Sequence, residues 1–336
     1  MHPLEAQAGQ MYELSVAHWR SCSIYVAAKL GIADILDKHG PLSAAAIADI
    51  THCHADALHR LMRALASIEV FRENEDQLFE LTALGNTLTS NAPNSMLWWV
   101  LTMLGERLLP WNQLIYSIQT GKTSFEHVYQ MPVWQYYATH AEQRRNYIRA
   151  MENNTRLFIP HIHAAYDFSQ FKLLADIGGG NGSLLLSILD NNPHCNGILF
   201  DLLAVITAAR NSLVPNTRCS LAAGDFFQSV PADADGYILK NIIHDWHDDA
   251  SVLILKTCMQ AMHHNSRLLL IEAVLPPGNE KHPGKFMDIN MLAMQGGRER
   301  TAVEYKELLA KAGLQIIQII STNKPDCSII ECIKQA

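Results

Sequence analysis

The chain has 336 residues, enough for two domains of ordinary size with a substantial core. Its formal net charge of −7 argues against nucleic acid or an anionic membrane surface as the main partner. Seven cysteines without a C-x-x-C pair indicate reduced thiols in a cytoplasmic protein. We expect neither a signal peptide nor a membrane span, because no basic N-terminal region precedes an apolar run and the apolar runs are short.

Residues 1–105 are predicted to be mostly helical. Ser43 begins one helix, Ala55 begins a second, and VFRENEDQLFELT predicts two short strands around a polar turn. This order is typical of a winged helix, which in other proteins can bind DNA. However, the segment carries 6 Lys/Arg against 11 Asp/Glu, whereas a phosphate-binding face needs a basic surface. We therefore interpret residues 1–105 as a helical, winged-helix-like packing or dimerisation domain.

A strongly apolar segment from Leu4 to Leu36 opens this domain. A small acidic module cannot easily cover so much apolar surface alone, so we expect the segment to pack against a second copy of the chain. The candidate contacts are Trp19, Ile24, Tyr25 and Val26.

Residues 106–336 are predicted to form connector helices followed by an α/β domain. Seven apolar segments are predicted to be strands: KLLADI, GILFD, CSLAAG, GYILKN, RLLLIEAV, LQIIQIIST and CSIIECIK. Helix-length segments separate the first five, as parallel crossovers require. The short NKPD turn between the last two permits a hairpin but no parallel crossover. We therefore expect a parallel sheet that ends in an antiparallel strand.

The sequence LLADIGGGNGS, residues 173–183, is the most informative feature. A strand, a glycine turn and a helix in succession bring backbone N–H groups and a helix N-terminus against a ligand. The glycines follow G-x-G-x-G, with Ser183 where a dinucleotide site would place its third glycine. Asp201 ends the next strand, 19 residues after Gly182. This pattern resembles the S-adenosylmethionine (SAM) site of Rossmann-like methyltransferases.

Six motifs make the resemblance more specific: DIGGGNG, FDL, GDFF, ILKNIIHDW, IEAVLP and GGRERT. In this order they resemble the small-molecule O-methyltransferases of the plant caffeate and hydroxyindole type and their bacterial natural-product relatives. The resemblance extends over nearly the whole chain. It implies a Rossmann-like SAM-dependent methyltransferase sheet with a helical N-terminal domain that builds a homodimer. One departure is visible: the family usually continues FDL with Pro-His, where this chain has Leu203 and Ala204.

The resemblance also implies a role for individual residues. His244 would be the general base, flanked by Glu272 and Glu299. SAM, released as S-adenosylhomocysteine, would be the cofactor, and no metal is expected. The residues expected to bind SAM are Gly178, Gly180, Asp201, Asp225, Phe226 and Lys240, and those expected to bind the acceptor are Met151 and Met291.

The chemistry of methyl transfer to a phenol independently calls for such groups. A phenol with a pKa near 10 is only about one part in a thousand ionised at neutral pH, a handicap of roughly 4 kcal/mol. A positioned histidine can take the proton, and neighbouring carboxylates favour the imidazolium that forms. The remaining acceleration comes from holding the reacting atoms in line. A Mg²⁺ ion, which catechol-type enzymes use to hold a diol, is not required.

Other interpretations remain open. Glu272 and Glu299 could instead pair with Arg298 or Arg300. The histidines and cysteine between His52 and His59 are interpreted as incidental, because no second ligand group recurs at zinc-site spacing. An enzyme of the same fold could use SAM for pericyclic, hydroxylating or decarboxylating chemistry, and a winged-helix ligand-sensing regulator is a distant alternative. In-line methyl transfer is compatible with an oxygen, nitrogen or sulfur acceptor.

Overall fold

A computed structural model of the chain describes residues 3–212 and 217–335. The chain divides into two compact units. One comprises Met1–Leu108 and His140–Asn153, and the other comprises Leu109–Thr139 and Asn154–Ala336.

Helices dominate the chain up to residue 165. In chain order the elements are α1 (Pro3–Ser15), α2 (Ala17–Lys29), α3 (Ile32–His39), α4 (Ala44–Thr51), α5 (Ala55–Ala66), β1 (Phe71–Glu73), β2 (Phe79–Leu81), α6 (Ala83–Asn86), α7 (Leu97–Met103), α8 (Leu108–Asn112), α9 (Leu114–Thr120), α10 (Ser124–Tyr129), α11 (Val133–Thr139) and α12 (Ala141–Ala165).

The first unit contains both helices and the strand pair that the sequence predicts. The Ser43 hydroxyl caps α4 by accepting a hydrogen bond from Ala46 N at 3.2 Å. Strands β1 and β2 pair antiparallel, with Phe71 opposite Leu81. A core of small and aliphatic side chains from α2 to α5 packs against this hairpin. The N-terminal segment is broken into three helices, and Gly31 between α2 and α3 has a φ of 65°.

The division of the chain differs from the expected boundary at residue 105, because His140–Asn153 belongs to the first unit. Side chains on this part of α12 contact earlier helices of the same unit. Lys29 Nζ lies 3.1 Å from Glu142 Oε1, and the Arg149 guanidinium lies 4.4 Å from the centre of the Trp98 ring. Such contacts between positions far apart in sequence leave no periodic signal, so the sequence does not reveal them.

A seven-stranded sheet organises the second unit. The remaining elements are β3 (Leu173–Ile177), α13 (Ser183–Asn191), β4 (Asn196–Asp201), α14 (Leu203–Ser212), β5 (Cys219–Ala223), β6 (Gly236–Lys240), α15 (Asp248–Ala261), β7 (Arg267–Glu272), β8 (Val274–Leu275), α16 (Gly284–Met294), β9 (Arg300–Thr301), α17 (Ala302–Lys311), β10 (Leu314–Ser321) and β11 (Ser328–Lys334), with 3-10 turns at Phe168–Gln170 and Ile243–Asp245.

The strand order across this sheet is β10-β11-β7-β6-β3-β4-β5. The pairs from β7 through β5 are parallel, whereas β11 pairs antiparallel with both β7 and β10. All seven predicted strands are therefore present, and the last two form the expected hairpin. The final strand takes the inner position between β7 and β10, a detail that the hairpin spacing alone does not specify.

Apolar side chains cover both faces of the sheet, as a mainly parallel sheet requires. On one face Tyr237 and Leu270 pack with buried residues of α15 and α17. On the other face Ile238 and Leu269 pack with buried residues of α12 and α13. Both faces are therefore closed, and in open α/β sheets ligands generally bind at the carboxyl ends of the strands.

Two expectations from composition can be compared with this structure. No helix within residues 3–212 or 217–335 is long and apolar enough to cross a membrane. The histidines near residue 52 lie at helix ends: His52 follows α4 with a φ of 55°, and His54 Nδ1 accepts a hydrogen bond from Ala57 N at 3.4 Å.

Candidate active site

The glycine turn follows β3 directly. Gly178 and Gly180 have φ values of 70° and 62°, a region that other residues rarely adopt. A Cβ atom on Gly178 would lie 2.6 Å from Ile242 Cδ1, so a larger residue would also have to displace the end of that side chain. Gly180 N donates a hydrogen bond to Asp201 Oδ2 at 2.9 Å. The turn and the carboxylate that ends β4 are therefore directly connected.

Asp201 is held by the backbone on both of its oxygens. Oδ1 accepts a hydrogen bond from Leu202 N at 2.7 Å, while Oδ2 accepts the bond from Gly180. Burial raises its pKa above the usual range. Each carboxylate oxygen can accept a second hydrogen bond, so the fixed group can still receive two donors from a ligand. Asp176 lies nearby, and burial together with the Asp201 charge raises its pKa to about 7.

Asp225 and Phe226 follow β5 at the same edge of the sheet. Asp225 Oδ1 accepts a hydrogen bond from Phe227 N at 2.9 Å, which orients the carboxylate. The Phe226 ring meets the Trp246 ring edge to face, with the ring centres 6.2 Å apart. Leu203, where the family usually has proline, is 71% exposed at the start of α14.

Lys240 ends β6, and its side chain turns toward an aromatic ring. Its Nζ lies 5.0 Å from the centre of the Phe158 ring, and Lys324 Nζ lies 4.7 Å from the same centre. Burial lowers the pKa of Lys240, although Cys327 and Glu272 act in the opposite direction.

His244 lies in the 3-10 turn Ile243–Asp245 and is surrounded by carboxylates. Its Nδ1 lies 2.7 Å from Glu299 Oε1 and 3.8 Å from Glu272 Oε2. Its Nε2 lies 3.6 Å from Asp245 Oδ1. The three predicted catalytic residues are thus brought together. Glu272 and Glu299 approach the same ring nitrogen, however, rather than one on each side of the ring.

These carboxylates determine the direction in which the pKa of the His244 imidazole is shifted. Burial alone lowers the pKa of His244, but the charges of Glu299, Glu272 and Asp245 outweigh it and raise the pKa to about 10. Burial in turn raises the pKa of Glu272 above its usual range. The arrangement therefore strongly favours the imidazolium form of His244 over neutral imidazole.

Hydrogen bonds to the backbone fix the Glu272 carboxylate and the main chain of Glu299. Glu272 Oε1 accepts hydrogen bonds from Ile242 N at 3.0 Å and from Ile243 N at 2.9 Å, so it also holds the turn that carries His244. Asp288 Oδ1 accepts a hydrogen bond from Glu299 N at 2.9 Å. These bonds leave Glu272 Oε2 and Glu299 Oε2 buried without a hydrogen-bond partner. The unused oxygens keep negative charge close to the imidazole.

The segment before β9 lies tightly against the same turn. Arg298 N donates a hydrogen bond to the carbonyl oxygen of His244 at 2.9 Å. A Cβ atom on Gly297 would overlap that carbonyl oxygen, so only glycine allows this approach. The second glycine of the GGRERT motif is therefore required by packing.

Neither nearby arginine pairs with the two glutamates. Arg298 Nη2 lies 3.0 Å from Glu304 Oε1, and Arg300 Nη2 lies 2.8 Å from Asp248 Oδ1. Asp245, Asp288 and Arg300 also belong to the site, although the motifs predicted no catalytic or ligand-binding role for them. For Arg300 the available signal was its position in the motif, directly after Glu299.

The two predicted acceptor-binding methionines belong to different units. Met291 is buried in α16 of the second unit, where Asn290 Oδ1 accepts a hydrogen bond from Trp111 Nε1 at 3.1 Å. Met151 lies on α12 within the first unit and is half-buried. Their shared role in binding the acceptor stays a prediction.

His244, Glu272 and Glu299 also offer atoms of the kind that bind metals, all within 4.8 Å of one another. A nitrogen and two carboxylate oxygens at this spacing are close enough for one ion. The expected independence from metal is therefore a prediction that needs its own test.

Two family models match the chain. The O-methyltransferase dimerisation domain matches residues 12–91, and the O-methyltransferase domain matches residues 111–315. The chain belongs to the O-methyltransferase family. This confirms the family that the six motifs predicted, together with the methyltransferase fold and SAM-dependent O-methyltransferase activity.

Individual members of the O-methyltransferase family are similar over nearly the whole chain. A phenazine O-methyltransferase from Lysobacter antibioticus is 39% identical over 315 residues, which are 93% of this chain and 92% of that protein. A methyltransferase of calicheamicin biosynthesis, solved with S-adenosylhomocysteine, is 32% identical with a TM-score of 0.84 over 99% of both chains. An O-methyltransferase of neocarzinostatin biosynthesis, solved with S-adenosylhomocysteine and 1,4-dihydroxy-2-naphthoic acid, is 31% identical with a TM-score of 0.79, covering 94% of this chain and 95% of that one.

Proposed function

We propose that this O-methyltransferase transfers the methyl group of SAM to a hydroxyl of an aromatic or polyketide-like small molecule, with His244 as the general base. The observation that carries the proposal is the 2.7 Å contact between His244 Nδ1 and Glu299 Oε1 inside a buried carboxylate cluster. Such a contact fixes the ring and stabilises the charge that the ring gains when it accepts a proton.

The second unit offers suitable partners for SAM. Asp201 would accept hydrogen bonds from the two ribose hydroxyls, and the turn at Gly178 and Gly180 would allow close approach of the backbone. Asp225 and Phe226 would contact the adenine. Lys240 would contribute a positive charge to the SAM site. When bound, SAM supplies an electrophilic methyl group on a sulfonium. The fixed carboxylates at the strand ends suit a positively charged ligand of this kind.

His244 would receive the proton of the acceptor on Nε2, because its Nδ1 is already engaged with Glu299. With a pKa of about 10, the imidazolium is about as weak an acid as a phenol, so proton transfer between them is nearly balanced. The same high pKa means that the resting imidazolium must first lose a proton to solvent. We therefore expect activity to rise with pH from neutrality toward about 10.

An aromatic acceptor is supported by the surroundings and by relatives. Met291, Met287 and Trp111 provide thioethers and an indole in the same unit, and such groups suit flat apolar ligands. The phenazine enzyme and the naphthoate complex described above concern fused aromatic compounds. We propose no particular acceptor beyond this class.

We also propose that the enzyme acts as a homodimer, needs no metal and resides in the cytoplasm. The match to a dimerisation domain supports the dimer, as do large apolar side chains on α1 and α2: Met11 is 65% exposed and Trp19 is 56% exposed. The location is supported by its seven free cysteines.

The test is incubation of the purified enzyme with SAM and a panel of phenols, naphthols and phenazinols. The proposal predicts a product heavier by one CH₂ group and one equivalent of S-adenosylhomocysteine. A transformed product without S-adenosylhomocysteine would instead support the unconventional use of SAM. Salt-sensitive DNA binding on filters, without any turnover, would support the regulator.

A further inference from the structure

The guanidinium of Arg300 is buried beside the turn that carries His244. Only 1% of Arg300 is exposed, and it is among the largest fully buried side chains of the described residues. Its Nη1 donates a hydrogen bond to Ile243 O at 3.2 Å, and its Nη2 donates one to Trp246 O at 3.0 Å. Its Nε and Nη2 both donate to Asp248 Oδ1, at 3.1 and 2.8 Å. The guanidinium therefore binds carbonyl oxygens on both sides of His244.

This placement is costly and needs a reason. Burying a cation is unfavourable unless its donors are satisfied, and the Asp248 side chain that balances the charge is 45% exposed. The carbonyl of Ile243 also accepts hydrogen bonds from Trp246 N at 3.3 Å and from Ser251 Oγ at 3.3 Å, and that of Trp246 accepts one from Ser251 Oγ at 3.2 Å. Arg300 adds a charged donor to each of these carbonyls, and such charge-assisted bonds are the stronger ones, so they hold the turn rigidly.

Chain connectivity adds a second constraint. Arg300 directly follows Glu299, whose carboxylate lies 2.7 Å from His244 Nδ1. Both ends of the turn are thus bonded to the residue that directly follows the partner of the imidazole. Movement of the turn away from Glu299 would require breaking the guanidinium bonds at the same time.

We propose that Arg300 is a positioning residue for methyl transfer. It keeps the turn that carries His244 in place beside the Glu299 carboxylate. It acts through His244 rather than on the substrate or SAM. The inference rests on the proposed role of His244 as the base, and the experiments below separate failure of one from failure of the other.

The first experiment compares Arg300→Lys and Asp248→Asn with a matched control, Asp249→Asn. Asp249 lies in the same first turn of α15 and is exposed, so its variant reports the general effect of removing one acidic charge there. A lysine cannot bond to the two carbonyls and Asp248 at once. Because a misplacement of about 1 Å can cost about 10²-fold in rate, we expect Arg300→Lys to lower kcat about 10- to 100-fold. The KM for SAM should stay unchanged.

Asp248→Asn keeps a bonding oxygen but removes its charge, so a smaller fall in kcat of about 3- to 10-fold is expected. The control should retain wild-type kcat. The Asp248 variant also keeps the inference testable if Arg300→Lys fails to fold. Equal kcat values for Asp248→Asn and the control would overturn the inference.

A second readout follows the imidazole itself. The proton NMR signal of the His244 ring, assigned by its loss in His244→Gln, gives the titration of this histidine without turnover. Loosening the turn should lower the pKa of His244 toward 6.5 in Arg300→Lys and Asp248→Asn, because the ring loses its fixed contact with Glu299. If the titration of His244 is unchanged in the variants, and activity falls only in proportion to the loss of folded protein, Arg300 has a purely structural role.

A double variant distinguishes the two proposals. In a His244→Gln background, Asp248→Asn should cause no further fall in kcat, because both changes act through one imidazole. An additional fall of the same size as in wild type would contradict the positioning role while leaving the base role intact. Wild-type turnover in His244→Gln alone would instead refute the base role.

Discussion

Replacing Glu299 by glutamine removes the carboxylate that is nearest to the imidazole while keeping its shape. Burial alone lowers the pKa of His244, and the three carboxylates reverse this effect and raise the pKa from 6.5 to about 10. Of the three, Glu299 is the one within hydrogen-bonding distance of the ring. An opposite charge at hydrogen-bonding distance shifts a pKa by about 1 to 3, so we expect the loss of the Glu299 charge to lower the pKa of His244 by about 1 to 2.

The direction of this change follows from the charges. A negative neighbour stabilises the protonated ring, so its loss lowers the pKa and leaves a weaker base. We expect the pKa seen in the pH dependence of kcat/KM to fall by about 1 to 2, so that activity rises at a lower pH than in the wild type, while the maximal turnover at high pH falls because the base is weaker. The assay is release of S-adenosylhomocysteine measured across the pH range from neutral to about 10.5.

Glu304→Gln is the matched control for this experiment. Glu304 lies in the same segment and caps α17 through Thr301, a role that glutamine can keep. The control should show the wild-type pH profile. If Glu299→Gln also shows the wild-type profile and turnover, the reasoning about the carboxylate cluster is refuted.

Three further outcomes are expected. Asp201→Ala should weaken SAM binding by about 2–3 kcal/mol through loss of two charge-assisted hydrogen bonds, and unchanged SAM affinity in calorimetry would contradict the assignment. Prolonged EDTA treatment should leave turnover unchanged, whereas a loss restored by a divalent ion would show that a metal takes part. Deletion of residues 1–30 should give monomeric or insoluble protein, and a full-length chain that sediments as a monomer at micromolar concentration would exclude the proposed dimer.

The sequence predicted the features that depend on local periodicity and motif order. Strand β3, its glycine turn and Asp201 were predicted because a parallel strand, a turn and a carboxylate occur at regular spacing. His244, Glu272 and Glu299 were predicted because the family motifs place them at the ends of neighbouring strands and before β9. The structure shows that these ends converge.

The features that the sequence did not predict depend on contacts between distant positions. Asp248 lies 52 positions before Arg300, and neither position is distinguished by apolar periodicity. The approach of both glutamates to a single ring nitrogen depends on rotamers and on the backbone bonds of Ile242 and Ile243. The inclusion of His140–Asn153 in the first unit depends on contacts such as that of Lys29 with Glu142.

The measurement that tests the central claim most directly is the turnover of His244→Gln, with SAM affinity determined on the same sample. We predict nearly unchanged SAM binding and a fall in turnover of about 10²–10⁴-fold at neutral pH, the usual contribution of a positioned base. The remaining activity of the variant should rise with pH toward the pKa of the phenol, because preformed phenolate needs no base. Wild-type turnover of this variant at neutral pH would contradict the claim that His244 is the base.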